Sequence, residues 1–243
     1  MFRHFFGLRS ARTDVRPCGA GSRRLVNRWR TAFQGDFFNA GPPAIFDLVS
    51  DAIMQIFRET GAYLNGHFRL TSGLHSNEYL HCALVLARPA IAERFGKELA
   101  GALNEKTVDL VVSPAVGGLI IGHEVARALA NSNNGARFIF TERDSAGKMT
   151  LRRGFSVRAG ETAVVIEDVV TTGGSTREVI ELLQSAGVRV LGAGSIIDRS
   201  GGRVDLGVPR VALATLNVTS WTAEECPLCR QGLAIEKPGS RPG

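Results

Sequence analysis

Between residues 108 and 218, apolar and polar positions switch repeatedly between two patterns. Nearly continuous apolar runs such as "VDLVVSPA" are typical of buried strands, whereas "STREVIELLQSAG" repeats apolar residues every three or four positions, as an amphipathic helix does. Because helices alternate with strands at this spacing, we expect an α/β fold with a twisted parallel sheet flanked by helices on both faces. The patterns predict strands at 108–115, 136–143, 151–157, 161–170, 189–199 and 210–218, and helices at 118–130 and 175–187.

Ahead of this region, the pattern indicates a smaller and less regular part of the fold. "AIFDLVSDAIMQIFRE" has a helical rhythm that stops near Gly61, and "PAIAERFGKELAGAL" predicts a second helix. Between them, "GHFRLTSGLHSNEYLHCALVLA" consists of short alternating segments with turn residues, which favours a small β region.

The net charge of +6 belongs to one end of the chain. Residues 1–44 contain eight Arg and two Asp, whereas the rest of the chain carries 21 basic and 21 acidic side chains. We therefore expect a basic and disordered N-terminal extension, 1–44, and one domain, 45–243, whose neutrality argues against a nucleic-acid partner. The extension has the composition of a transit peptide, although we favour an over-extended start in an organism with Arg-biased codons.

Hydropathy and cysteine usage limit the setting in which the chain works. No run of about 18 apolar residues appears, so we predict no membrane span. Four scattered cysteines favour free thiols in a reducing compartment, hence a cytoplasmic location. Cys226 and Cys229 have the spacing of half a zinc site, but the five histidines form no local cluster with them in the sequence. We interpret this segment as a surface loop or tail.

The stretch "VVIEDVVTTGGST", residues 164–176, joins a predicted strand to a predicted helix. N–H groups at a helix amino terminus favour phosphate, and Gly173 and Gly174 allow close approach of the backbone. Two carboxylates, Glu167 and Asp168, precede this loop although they would repel phosphate directly. The pattern is neither a Walker A loop nor the dinucleotide G-x-G-x-x-G. The alternative is an ordinary strand–helix turn with Ser175 as the helix cap.

The same stretch resembles the 5-phosphoribosyl pyrophosphate (PRPP) binding motif of type I phosphoribosyltransferases. The resemblance implies that the ribose lies between loop and carboxylates, with the loop on the 5-phosphate and the acids on the 2- and 3-hydroxyls. Fixed carboxylates would also stabilise the positive charge that develops on the ribose as pyrophosphate leaves. The PRPP-binding residues so implied are Glu167, Asp168, Val169, Val170, Thr171, Thr172, Gly173, Gly174 and Ser175.

A second glycine-containing turn, in "VVSPAVGGLIIG", follows the strand one unit earlier. It resembles the pyrophosphate loop of the same family. The resemblance assigns Ala115, Val116 and Gly117 to the pyrophosphate and implies a non-proline cis peptide at Ala115–Val116. It also implies Mg2+, carried on PRPP without an assigned protein ligand.

The segment "TERDSAGKMTLRRG", residues 141–154, has basic residues around a turn between two predicted strands. A solvated hairpin is its ordinary interpretation. Its position resembles the mobile hood loop of orotate phosphoribosyltransferases, which closes over the pyrophosphate, usually in a neighbouring subunit. The resemblance implies a homodimer with shared active sites and a catalytic cation at Lys148, or else Arg143. This loop has one Lys and no His, unlike the best-known members.

Two further segments bear on the base that is transferred. "FRLTSGLHSNEYL" resembles the segment that precedes and covers the base in orotate phosphoribosyltransferases, and places Tyr79 over it. "IIDRSGG" resembles the strand end whose Arg binds the orotate carboxylate, which assigns Arg199, and the resemblance adds Thr171 to the orotate-binding residues. A guanidinium can bind a carboxylate through two hydrogen bonds, whereas the ordinary role of such an Arg is a surface salt bridge.

We therefore expect transfer of 5-phosphoribosyl from PRPP to orotate, giving orotidine 5-monophosphate and pyrophosphate in pyrimidine synthesis. Catalysis would rest on Glu167, Asp168 and the hood cation. A purine phosphoribosyltransferase would share the PRPP motif but would not account for "FRLTSGLHS" or Arg199. A non-enzymatic PRPP-binding regulator would need a DNA-binding module, and residues 1–44 are too short and irregular for one.

Overall fold

The computed structural model describes residues 44–70, 72–103, 107–130 and 135–238. The predicted N-terminal extension, up to residue 43, lies outside the described residues, as does Thr71. Six helices are described: α1 Ala44–Glu59, α2 Cys82–Leu86, α3 Pro89–Leu103, α4 Gly118–Leu129, α5 Gly174–Ser185 and α6 Pro227–Arg230. The nine described strands are β1 Tyr63–Arg69, β2 His75–Leu80, β3 Leu110–Pro114, β4 Arg137–Arg143, β5 Met149–Leu151, β6 Thr162–Val170, β7 Arg189–Asp198, β8 Arg210–Thr215 and β9 Ser220–Trp221.

A six-stranded sheet in the order β5-β4-β3-β6-β7-β8 forms the centre of the domain. The pairs from β4 to β8 are all parallel, which confirms the predicted sheet. The strand predicted at 151–157 is wrong, because β5 ends at Leu151 and pairs antiparallel with β4. Arg153 and Gly154 adopt positive φ angles of 56° and 78°, which are incompatible with a continuing strand.

Helices cover both faces of this sheet because its buried strands are apolar on both sides. In β6, Val164 and Ile166 pack with α1, α3 and α4, whereas Ala163 and Val165 pack with α5. The central strands are therefore fixed from both sides, and their carboxyl ends meet at one edge. No helix among the described residues is long and apolar enough to cross a membrane.

A smaller antiparallel sheet, β1-β2-β9, confirms the β region predicted before the main sheet. Within the predicted segment, "CALVL" forms the short helix α2. The β1–β2 hairpin lies beside the cysteine pair, in the segment that the sequence predicts as a surface loop or tail, and Cys226 is fully buried there. The hairpin brings His67 and His75 beside Cys226 and Cys229, so that one ligand atom from each lies within 4.8 Å of the others.

Candidate active site

The predicted phosphate loop connects the carboxyl end of β6 to the amino end of α5. Gly173 occupies the helix cap position with φ of 73°. A Cβ atom there would lie 2.6 Å from Val204 Cγ1, so both the backbone angle and the available space require glycine. The alternative in which Ser175 caps the helix is wrong. Because the cap is a glycine, no cap side chain competes with a ligand for the first N–H groups of α5.

Glu167 and Asp168 lie within the last four residues of β6, ahead of this loop. Glu167 is buried, and burial together with the charge of Asp168 raises its pKa well above the ordinary value. Burial also raises the pKa of Asp168, although hydrogen bonds from Glu167 and from the Val169 N–H oppose this. The Val169 N–H donates to Asp168 Oδ1 at 2.8 Å. The pair therefore favours a state in which Glu167 keeps its proton and Asp168 carries the charge.

The second predicted loop follows β3 and lies directly against the side chain of Asp168. Its Ala115–Val116 peptide is cis, as the resemblance implied. A Cβ atom on Gly117 would lie 2.5 Å from Asp168 Oδ1. The Val116 side chain is 74% exposed, so this loop is open to a ligand from solution. The fold thus brings the predicted pyrophosphate loop and the predicted ribose-binding carboxylates together.

A cleft of about 290 Å³ opens beside the phosphate loop. Its polar lining includes Thr171 and Thr172 of that loop and Arg199 at the end of β7. Apolar walls come from Leu70, Leu74 and Val218. A planar ring with one anionic substituent fits such a lining, since apolar surfaces cover the ring and a guanidinium binds the anion.

Arg199 is only 8% exposed. Its Nη2 donates to Ser76 Oγ and to the Glu78 carbonyl oxygen, both at 3.3 Å. Its Nε is buried without a hydrogen-bond partner, and none of the ion pairs found in the described part of the chain involves it. A surface salt bridge is therefore excluded as its role. A buried guanidinium with unused donors is suited to bind an anionic ligand.

Tyr79 lies on β2, half-buried, with its ring centroid 5.7 Å from that of Phe68. Burial raises the pKa of Tyr79, and the charge of Asp168 raises it further while Arg199 lowers it. The three side chains are therefore close enough to influence one another. The structure thus brings the predicted base-covering residue to the carboxylates and the predicted base-binding Arg.

The two predicted hood cations have different surroundings. The predicted hood segment, residues 141–154, contains the β4–β5 hairpin. Asp144 Oδ1 closes its turn by accepting hydrogen bonds from the Ala146 and Lys148 N–H groups, both at 2.9 Å. Arg143 binds both oxygens of Glu178, at 2.9 and 3.1 Å, and donates to Ser175 Oγ at 3.3 Å. Lys148 is exposed at the turn. Arg143 thus lies beside the phosphate loop of its own chain, and Lys148 does not line the cleft.

The sequence prediction missed Arg203, which also lines the cleft. Its Nη1 donates to Asn217 Oδ1 at 3.2 Å, so the side chain joins the segment after β7 to the segment after β8. The glycine pair in "DRSGGR" was the available signal. Gly201 and Gly202 have φ of 64° and 83° and turn the chain back after Arg199 toward the phosphate loop.

Comparisons with known proteins agree with this geometry. A family model described as the phosphoribosyl transferase domain matches residues 85–221. The chain is 52% identical over 194 residues to the orotate phosphoribosyltransferase of Pelotomaculum thermopropionicum, covering 80% of this chain and 99% of that protein. It is 53% identical to the enzyme of the same name from Heliobacterium modesticaldum, covering 79% and 98%.

A solved structure gives the same result at the level of the fold. The orotate phosphoribosyltransferase of Aeropyrum pernix superposes with a TM-score of 0.55 and 26% identity, covering 68% of this chain and 93% of that one. The family model spans the sheet that carries both loops, and the curated relatives extend the match over nearly their whole length. The chain belongs to the phosphoribosyltransferase family and, within it, to the orotate phosphoribosyltransferases.

Proposed function

We propose that this chain transfers the 5-phosphoribosyl group of PRPP to N1 of orotate, and that Arg199 is the residue that selects orotate. The burial and position of Arg199 support this proposal most directly. A guanidinium that is 8% exposed, with an unused Nε, lies in the cleft that also contains the phosphate loop. No ion pair in the described part of the chain gives this buried guanidinium a carboxylate partner, and the carboxylate of orotate would supply one.

In the proposed reaction, N1 of orotate forms a bond to C1 of the ribose as the bond from C1 to pyrophosphate breaks. The electron pair of the broken bond leaves with pyrophosphate. The first N–H groups of α5 and the hydroxyls of Thr171, Thr172 and Ser175 would bind the 5-phosphate. Asp168 and Glu167 would accept hydrogen bonds from the ribose hydroxyls. The negative charge of Asp168 would stabilise the cation that develops on the ribose more than the ground state.

We assign Mg2+ to the diphosphate of PRPP. Magnesium commonly binds through one or two carboxylates together with substrate phosphates, and Asp168 beside Gly117 is a carboxylate of this kind. When bound, the ion neutralises charge on the departing pyrophosphate. Ala115, Val116 and Gly117 would hold the same group through the backbone, and Arg143 or Lys148 would add a positive charge. A homodimer would allow Lys148 to reach a neighbouring site.

The proposed function is tested by measuring which base the chain accepts. The purified chain should consume orotate only when PRPP and Mg2+ are present, and should form orotidine 5-monophosphate and pyrophosphate in equal amounts. Adenine, hypoxanthine and uracil serve as controls. Turnover of a purine without turnover of orotate would contradict the proposal.

Arg199→Ala tests the residue assignment. We expect the orotate KM to rise strongly while the PRPP KM stays nearly constant, because truncating one partner of a buried charge pair costs about 2–5 kcal/mol. Arg189→Ala is a matched control, since Arg189 is exposed at the opposite end of the same strand. A variant that lost PRPP affinity but kept orotate affinity would show that the base lies elsewhere.

A further inference from the structure

We propose that His67, His75, Cys226 and Cys229 bind one zinc ion, which fastens the C-terminal segment to the β1–β2 hairpin. The four side chains come from two parts of the chain that are far apart in sequence. His67 Nε2 lies 3.1 Å from His75 Nδ1, 3.5 Å from Cys226 Sγ and 3.6 Å from Cys229 Sγ. His75 Nδ1 lies 3.2 Å from Cys229 Sγ. Their ligand atoms thus converge on one point.

Three of these four separations lie within about 0.2 Å of the edges of a zinc tetrahedron, and the separation of His75 Nδ1 from Cys229 Sγ is about 0.4 Å shorter than its edge. Bond lengths of about 2.0–2.1 Å to nitrogen and about 2.3 Å to sulfur require ligand atoms roughly 3.3 Å apart for N···N and roughly 3.6 Å apart for N···S. Two thiolates and two imidazoles form a soft donor set that favours zinc over magnesium or calcium. All four positions are filled by protein, as in a structural zinc site, which is closed to substrate.

The surroundings of His67 orient it for this role. Its Nδ1 lies 2.9 Å from the carbonyl oxygen of Leu233, which can only accept a hydrogen bond. Nδ1 therefore carries the proton, and in the neutral ring Nε2 directs a lone pair at the other three side chains. An imidazole whose second nitrogen donates to a carbonyl is the usual arrangement around a bound zinc ion. Cys226, His67 and His75 are buried, so three of the four ligands are shielded from water, whereas Cys229 lies at the surface.

A metal-free cluster and a redox pair would each place different demands on these four side chains. In a hydrogen-bonded cluster without metal, His75 Nδ1 would donate to His67 Nε2, and the thiols would remain protonated. In a redox pair, Cys226 and Cys229 would form a disulfide, and neither histidine would be needed. The metal site alone requires all four side chains at once.

The position of the cluster indicates what the ion does. The C-terminal segment joins β1 through the Glu236 N–H to the His67 carbonyl oxygen and the Arg69 N–H to the Glu236 carbonyl oxygen, both at 2.8 Å. It joins β2 through β9, where Ser220 pairs with Ser76. Ser76 accepts a hydrogen bond from Arg199. The zinc ion therefore braces the hairpin that supports the guanidinium, a consequence that rests on the proposed function.

Metal content tests the site independently of activity. Full-length protein prepared without chelators should contain about one zinc ion per chain. After the zinc is removed, Co2+ should produce the absorption bands of tetrahedral cobalt and of thiolate-to-cobalt charge transfer. Chelation should also lower the unfolding midpoint of the wild type. Protein that contains no zinc and gives no cobalt spectrum would overturn the proposal, as would a Cys226–Cys229 disulfide in protein alkylated without reductant.

Substitutions identify the ligands. Cys226→Ser, Cys229→Ser and His75→Ala should each abolish the zinc signal and make the unfolding midpoint insensitive to chelator. Cys82→Ala and His123→Ala should retain zinc, because these residues lie outside the cluster. Zinc retained by all three ligand variants would overturn the proposal. The cobalt spectrum of the wild type decides the matter if the variants do not fold. If the protein contained no zinc but still turned over orotate, the zinc proposal would fail while the proposed function would stand.

Discussion

At the scale of single residues, the carboxylates before the phosphate loop are less repulsive to phosphate than their number suggests. Burial and the charge of Asp168 raise the pKa of Glu167 well above its ordinary value. The free protein can therefore hold a proton on Glu167 where a fully ionised pair would repel the substrate. In the proposed complex, a ribose between the carboxylates and the loop would separate the remaining charge on Asp168 from the 5-phosphate.

The raised pKa of Glu167 predicts a pH-dependent stability. An unfolded chain ionises this residue near its ordinary pKa of 4.5, whereas the folded chain keeps the proton to higher pH. Above about pH 5 the folded state thus binds more protons, so this contribution to the free energy of unfolding falls as pH rises. Glu167→Gln should remove that contribution and be more stable than the wild type at pH 8. Denaturant unfolding at pH 5 and pH 8 measures the difference.

Glu181→Gln is the matched control for this prediction, because Glu181 is exposed on α5. It should keep the wild-type dependence of stability on pH. Identical slopes for wild type and Glu167→Gln would show that Glu167 ionises alike in the folded and unfolded chain.

At the scale of elements, the candidate active site depends on two loops that follow the neighbouring strands β3 and β6. β3 and β6 pair in parallel, so the loops that follow them emerge at the same edge of the sheet. Gly117 of the first loop lies against the side chain of Asp168, which is near the end of β6 and ahead of the second loop. A side chain at position 117 would separate the proposed pyrophosphate loop from Asp168, the carboxylate that we propose faces the ribose.

Gly117→Ala should therefore lower kcat/KM by roughly 100-fold, the loss expected when reacting groups are displaced by about 1 Å. Gly117 has φ of −56°, which alanine adopts readily, so the effect would come from the contact with Asp168. Gly101→Ala in α3 is the control, because a Cβ atom there meets nothing within 4 Å. Steady-state kinetics of both variants, with unfolding midpoints, would test this. Wild-type activity in Gly117→Ala would mean that the loops move independently.

Local patterns were sufficient to predict most elements of the sheet. Helix α3 was predicted over the residues that it occupies, and the β6–α5 loop was identified from its glycines and carboxylates. These features depend on neighbouring residues, whose side chains define the apolar period and the backbone angles. The apolar pattern also predicted the strand that ends at Arg199, whereas the assignment of Arg199 to the base came from the family resemblance.

Contacts between distant segments could not be predicted in this way. Nothing near Arg143 in the sequence indicates Glu178, although the two side chains form a two-point ion pair in the structure. The cysteine pair was interpreted as a tail because its histidine partners lie on a hairpin more than a hundred residues earlier. Such contacts depend on the arrangement of whole elements, which one sequence does not specify directly.

At the scale of the whole molecule, the two candidate hood cations, Arg143 and Lys148, differ in the active site that each could reach. Arg143 is held by Glu178 beside Ser175 of its own chain. Lys148 is exposed at the hairpin turn. If the chain forms the homodimer that we propose, Lys148 is free to serve a neighbouring active site, whereas Asp168 stays in its own.

A mixing experiment tests this division. Lys148→Ala and Asp168→Asn should each be nearly inactive as pure dimers, since losing one transition-state interaction of this kind costs about 2–4 kcal/mol of barrier. After subunit exchange, each hybrid dimer would contain one site with both lesions and one site with neither. Activity should return to at most half the wild-type value per hybrid, measured as PRPP-dependent loss of orotate. Arg143→Ala mixed with Asp168→Asn is the control and should gain no activity beyond the average of its two pure dimers, because both residues lie at the site of the same chain. If exchange is confirmed and the Lys148 mixture also stays inactive, Lys148 acts within its own chain or does not supply the catalytic charge.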